Sequence, residues 1–429
     1  MVEKLKNTAL VFLGLLMVVL LFFNLTLGLD DGYFQAVRQT FGIGSSSVTP
    51  GSQVSGSTVL PAKLAVRGDL GLYMACGSVM TEMYYSAGPL LTEALGSVGT
   101  IEEWNERDFC LSLSGSCVYF SFSFPVDLGM LEYWHTGIMG SSSDYSVSLL
   151  ALFSGDDGDV DIGFYDGNTG RCYLAQTAAG TERLAEVCTE VRSANACFAF
   201  EKEEFHNLLP YEAVFTESVY FPVYAVTVPD FSSESENGEK LISFFGMNPY
   251  LAKTYKTIQG DTVYVESFSA LQVSKGGRVL YSGTDGIQLD IPDGLSEKQT
   301  EAVSAELAGE FLSSVCMGLS CHDGLSVADI TKEKDGYTIS FERQATCAFL
   351  TRQDGYSAVV RIRNGAITEV KLWLCNFSET GSCMILPAEL AAATLDGMGN
   401  MLTVRYSEQN GVLTPMLWSA EGGIADGVE

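Results

Sequence analysis

Residues 296–315 read SEKQTEAVSAELAGEFLSSV, and VADITK, YTISFE, YSAVVRIR and ITEVKLWL follow before residue 375. This run decides the fold class. Ser296 and Gln299 make a capping box that opens a helix. Val303, Leu307, Ala308, Phe311, Leu312 and Val315 recur at three- and four-residue spacing and form its buried stripe. Val327 to Lys332, Tyr337 to Glu342, Tyr356 to Arg363 and Ile367 to Leu374 then read as strands. Asp335-Gly336 and Asn364-Gly365 stand at two of the turns, and both dipeptides favour tight hairpins. Pro387, at a first turn, opens a helix from Ala388 to Met398. A hairpin of Leu402 to Tyr406 with Leu413 to Trp418 closes the order. Helix, strands, helix and hairpin give an α+β domain: an antiparallel sheet with helices packed on one face.

Upstream, Leu241 to Phe245, Thr254 to Ile258, Thr262 to Glu266, Ala270 to Val273 and Arg278 to Tyr281 read as an antiparallel array, with Lys275-Gly276-Gly277 as a tight turn. The polar, acidic segment 230–240 (DFSSESENGEK) is the candidate boundary. Before it, Leu64 to Val66 and Leu70 to Ala75 flank Gly68-Asp69. Although Arg67-Gly68-Asp69 spells an integrin-ligand triplet, it reads as a polar hairpin turn. Gly77 to Leu95 has helical spacing, with Gly88-Pro89 expected to kink or split it. Cys117 to Phe124 alternates at period two as a strand that Pro125 should stop. A short helix starts at Leu128, and a meander occupies Val147 to Gln176. A further short helix spans 181–191. Two ectodomain units follow, 61–232 and 233–419, with a small acidic tail at 420–429.

The first apolar stretch, Thr8 to Leu29, is free of charge over 22 residues. At ~1.5 Å rise it makes about 33 Å of helix, enough to span a hydrocarbon core of ~30 Å. Lys4 and Lys6 precede it, so the N-terminus is expected in the cytoplasm and the rest outside. The run is longer than a signal h-region and lacks a small-x-small site before Asp30, which favours an uncleaved single-pass anchor spanning 1–29. Residues 30–60 form a juxtamembrane segment and a Ser/Gly-rich tether. Gly14 and Asn24 are the two positions in the stretch suited to contact with a partner helix in the membrane.

The net charge of −29, from 53 acidic and 24 basic residues, argues against nucleic acid as a partner. Membrane lipid is expected to contact the anchor alone. The 11 cysteines admit short-range disulfides (Cys110–Cys117, Cys316–Cys321, Cys375–Cys383), reduced core thiols, or a metal at Cys316, Cys321 and His322. The irregular spacing favours reduced thiols, and the metal spacing matches no known ligand pattern. Asp157, Asp159 and Asp161 imitate a calcium loop, but Ile162 and Asn168 break it, leaving an acidic hairpin tip. His135, His206 and His322 lie in no hydrolase, protease or kinase motif, and a nucleophile needs a base. Neither a catalytic residue nor a cofactor is assigned, and the chain reads as a non-enzyme.

From Phe245 to Tyr281, Gly-Asp-Thr-x-Tyr, then Leu-x-Val, then Gly-x-Val-x-Tyr follow one another. With the N-terminal anchor, the long exported α+β region and the helix-plus-sheet from Ser296 to Leu395, the chain resembles the YycH/YycI group of Gram-positive regulatory proteins. The resemblance implies a PepSY-like C-terminal unit and a role beside a membrane sensor histidine kinase, linked to cell-wall homeostasis. It also implies a second regulator as a possible helix–helix partner in two-component signal transduction. The competing expectation is an exported ligand-, peptide- or protease-binding module anchored at the cell surface.

Overall fold

The computed structural model describes residues 58–420, apart from 77, 141–143, 192, 233–234, 346–347, 352–354, 396–398 and 416–418. The apolar stretch with Gly14 and Asn24, the tether and most of the acidic tail lie outside the described residues. Among the described residues no helix is long and apolar enough to cross a membrane.

The chain starts with β1 (Lys63–Gly68), β2 (Gly71–Met74), helix α1 (Ser78–Gly96), β3 (Ile101–Trp104), α2 (Glu106–Ser112), β4 (Cys117–Asp127) and α3 (Leu128–Thr136). The meander follows as β5 (Ser146–Ser154), β6 (Asp159–Asp166) and β7 (Arg171–Gly180), then α4 (Thr181–Thr189), β8 (Ala196–Phe198) and β9 (Ala213–Phe215). These strands build a nine-stranded sheet in the order β3-β7-β6-β5-β4-β1-β2-β8-β9.

The second part runs β10 (Tyr220–Thr227), α5 (Glu236–Phe244), β11 (Lys253–Lys256), β12 (Thr262–Glu266), β13 (Ser269–Val273), β14 (Arg278–Gln288) and α6 (Glu297–Gly318). It continues through β15 (Leu325–Glu333), β16 (Gly336–Ala345), β17 (Ala348–Thr351), β18 (Ala358–Arg363), β19 (Ala366–Trp373) and β20 (Asn376–Met384). Helix α7 (Ala388–Ala393), β21 (Leu402–Thr403), β22 (Arg405–Gln409), β23 (Val412–Pro415) and β24 (Ser419–Ala420) complete it. A 13-stranded sheet runs β11-β12-β13-β14-β19-β18-β16-β17-β22-β23-β10-β20, with β15 beside β16. The α+β class therefore holds, and the described strand pairs are antiparallel except β17 with β22.

Alternation along β4 explains how the first sheet is buried. Val118, Phe120 and Phe122 enter one core with α1, α3 and α4, while Cys117 and Tyr119 enter another with Phe109 of α2 and Ala388 of α7. Helices thus lie on both faces of this sheet, which corrects the one-face expectation. Period-two alternation with large side chains on both faces needs cover on both. Each core also draws on both sheets: Phe120 shares one with Leu312 and Phe341, and Tyr119 shares the other with Tyr406.

Three local expectations change. Strand β4 passes through Pro125 because its pairing with β5 shifts register between Ser121 and Val126, so no ladder hydrogen bond is asked of the proline. Helix α1 continues past Pro89. The carbonyl of Tyr85, which loses the Pro89 N–H, belongs to an exposed residue and can be hydrated. Leu241 to Phe244 is helical in α5, because Ser235 caps it by accepting the Gly238 N–H at 3.0 Å. The capping box of α6 forms as the sequence indicates, Ser296 N–H donating to Gln299 Oε1 at 2.9 Å.

Candidate functional site

The residues singled out in the sequence take structural positions. Gly68 and Gly71 pair across a two-residue hairpin loop, Asp69-Leu70. Arg67 is turned away to Glu201 at 2.6 Å, with its guanidinium 5.2 Å from the Phe198 ring centroid. The integrin-like triplet is thus a hairpin whose arginine is engaged internally. Asp157 occupies the tip between β5 and β6, whereas Asp159 and Asp161 sit within β6, Asp161 opposite Phe153. One tip residue and two strand residues do not wrap a cation.

The three histidines are scattered. His135 closes the last turn of α3 and lies 3.3 Å from Thr92 Oγ1 on α1. Burial pushes it down to about 4, so it is neutral at physiological pH and a weak base. A Thr–His contact of this kind lacks the driving force to generate an alkoxide. His206 is exposed and contacts the Glu203 carbonyl through Nδ1 at 3.0 Å. His322 packs at a tilt against Phe377, with centroids 4.7 Å apart, and its pKa is lowered by burial and by Arg343.

Around His322 the structure gathers a cluster that the sequence reading missed. Arg343 is fully buried in β16. Its Nη1 donates to the Trp373 carbonyl at 2.7 Å and to Cys375 Sγ at 3.3 Å, and Nη2 to Cys316 Sγ at 3.6 Å. The signal was present: Ile339, Phe341 and Arg343 alternate onto one face, so period two alone sends Arg343 inward. The nearby thiols are pushed up by burial, Cys316 to about 11 and Cys321 to about 12. They stay protonated at neutral pH and are poor nucleophiles and poor metal ligands. Cys110, Cys117, Cys316, Cys321 and Cys383 are free thiols, and among the described residues no group of three His, Cys, Asp or Glu side chains is set to hold a metal.

A second buried charge joins the two parts of the chain. Lys63 of β1 pairs with Glu212, which has no exposed surface. The Leu402 N–H also donates to Glu212 Oε1, at 3.3 Å. Two further links join the helices that cover the sheets. Trp134 Nε1 on α3 donates to the Ala302 carbonyl of α6 at 3.1 Å, and Lys298 meets Asp127 at 2.8 Å.

A cleft of about 290 Å³ lies between the end of α1, α3 and the segment after it, lined by Leu95, Val98, Glu132, Thr136 and Tyr145. Glu132, almost wholly buried, accepts the Gly140 N–H at 2.9 Å and is raised by burial to about 7. A Cβ on residue 140 would lie 2.3 Å from Glu132 Oε2, so a side chain there would displace the carboxylate. The carboxylate holds the chain that follows α3.

Neither a protein-family model nor a curated protein matches the sequence. A solved structure matches the fold: the crystal structure of YycH from Bacillus subtilis superposes with a TM-score of 0.54 at 11% identity, over 86% of this chain and 95% of that one. At that identity the likeness is one of architecture, and the chain has a YycH-like fold.

Proposed function

We propose that the chain is a non-catalytic, membrane-anchored accessory regulator of a two-component sensor histidine kinase, linked to cell-wall homeostasis. The observation that carries this reading is the YycH-like arrangement of both sheets over 86% of the chain. It agrees with the role implied by the sequence resemblance. His135, Cys316 and Cys321 support it too, since each is held in a packing role and burial moves its pKa away from what catalysis needs.

In this reading Thr8 to Leu29 crosses the cell membrane once, with the N-terminus in the cytoplasm. Gly14 allows close approach to a kinase helix, and Asn24 offers a hydrogen bond to it. Signalling through a helix needs only that it contact two kinase states unequally, since differential contact free energy shifts their populations. Replacing Thr8–Leu29 by an unrelated anchor of equal length should abolish regulation while the exported part still folds. Kinase output that stays regulated after this exchange would refute the proposal. Regulation by an anchor-free chain starting at Thr58 would point instead to an exported binding module.

A further inference from the structure

Strand β11 is one edge of the 13-stranded sheet, and all four of its residues are exposed. The phase of its ladder shows which backbone groups are free. The Thr257 N–H donates to the Asp261 carbonyl at 2.9 Å, making that pair hydrogen-bonded. Hydrogen-bonded and non-bonded pairs alternate along an antiparallel ladder. Tyr255 and Lys253 therefore bond to Val263 and Val265 of β12, and the N–H and C=O of Thr254 and Lys256 point away from the sheet.

Around this edge lie Tyr250, Leu251, Tyr255, Ile258 and Phe268, each with more than half of its surface exposed. From residue 248 to 282 the chain carries four basic and two acidic residues, inside a protein of net charge −29. Among the described residues Lys253 and Lys256 have no salt-bridge partner.

Lysines on an edge strand often serve only to repel other strands. A purely guarded edge would not also expose five large apolar side chains. The two features together make the edge selective: open to a strand that brings carboxylates and closed to others. Self-pairing of β11 through its outward groups sets Lys256 against Thr254 or against its own copy, and so brings the lysines of both copies to one interface with no carboxylate between them. A flat anionic lipid surface fits less well, since the protein's net charge opposes it and the outward N–H and C=O row would stay unpaired.

We propose that the free edge of β11 docks an extended acidic segment of a partner protein as an added strand. The partner's backbone bonds to the N–H and C=O groups of Thr254 and Lys256. Its carboxylates, three residues apart, meet Lys253 and Lys256, and its apolar residues cover Tyr255 and Ile258. The inference does not rest on the kinase-regulator reading.

The test uses the full chain in lipid nanodiscs. The probes are the capped, fluorescein-labelled hexapeptide Val-Glu-Val-Thr-Glu-Val and its counterpart with Lys in place of Glu. Anisotropy should show saturable binding of the acidic peptide and none of the basic one. Hydrogen exchange should show new protection at Thr254 and Lys256. Lys253→Glu/Lys256→Glu should weaken acidic-peptide binding at least about tenfold and gain the basic peptide, as expected of close opposite-charge pairing. Thr254→Pro removes an outward N–H but no bond to β12, and should also weaken binding at least about tenfold with the thermal midpoint nearly unchanged. Binding that ignores both variants, or no saturable binding at all, overturns the proposal. So does binding to anionic vesicles in place of the peptide, or self-association lost in the same variants, which would assign the edge to lipid or to a second copy.

Discussion

Replacing Glu132 by glutamine should make the protein more stable at mildly alkaline pH and change it little near pH 5. The reasoning starts from burial. Glu132 is 3% exposed on α3, and removal from water penalises its charged form. The Gly140 N–H lowers the pKa and the charge of Asp127 raises it, with burial winning and the group standing at about 7 against an ordinary value of 4.5. The folded state thus holds a proton that the unfolded chain releases between those two values. Where the folded state binds more protons, stability falls as pH rises. That gap, at about 1.4 kcal/mol per pH unit, comes to roughly 3 kcal/mol lost between about pH 4.5 and 7, and constant above. Glutamine keeps a carbonyl to accept the Gly140 N–H but does not titrate. Urea unfolding followed by tryptophan fluorescence, run on wild type and Glu132→Gln from about pH 5 to 8, reads the difference directly. Burial also raises Glu301, Glu306 and Glu310, but they titrate in both proteins and cancel in the comparison. Parallel stability curves across this range would show that Glu132 is ionised without penalty and would refute the reasoning.

Two further perturbations follow from the packing. Lys63→Met leaves the buried Glu212 carboxylate without its cation and should cost about 3–5 kcal/mol, whereas Lys63→Met/Glu212→Gln should recover most of it; a double-mutant cycle of unfolding free energies measures the coupling. Gly163→Ala would set a methyl 2.8 Å from the rings of Phe109 and Phe153, so overpacking should cost about 1–3 kcal/mol and lower the thermal midpoint.

The elements legible in the sequence are those whose causes are local. The capping box at Ser296 and the stripe of Ala308, Leu312 and Val315 need only neighbours three or four residues away. The hairpin tip at Asp156-Asp157 and the turn at Asn364-Gly365 likewise depend on the conformations those residues tolerate. Period-two alternation was informative on β4 and β16, but the strand expected to end at Glu342 runs on to Ala345, and with that the inward Arg343 was missed. Where a local rule met a tertiary one, the tertiary one prevailed. Pro125 stays in β4 because a register shift there asks no hydrogen bond of it, whereas the helix from Leu241 to Phe244 follows from a local signal, the Ser235 cap, that the strand reading passed over.

By itself, the sequence determined the α+β class, the net charge of −29, most hairpins and the longest helix of the second part. Each follows from composition or from spacing within a few residues. Tertiary structure alone decided what lies between distant segments. It paired β10 with β20 and β14 with β19, and it covered both faces of the first sheet. It also joined Lys63 to Glu212, gathered Arg343 with Cys316 and Cys375, and left β11 as an open edge among exposed aromatics. These contacts close loops of tens to hundreds of residues. Their free energy comes from burial and charge pairing between surfaces that no local window of sequence contains.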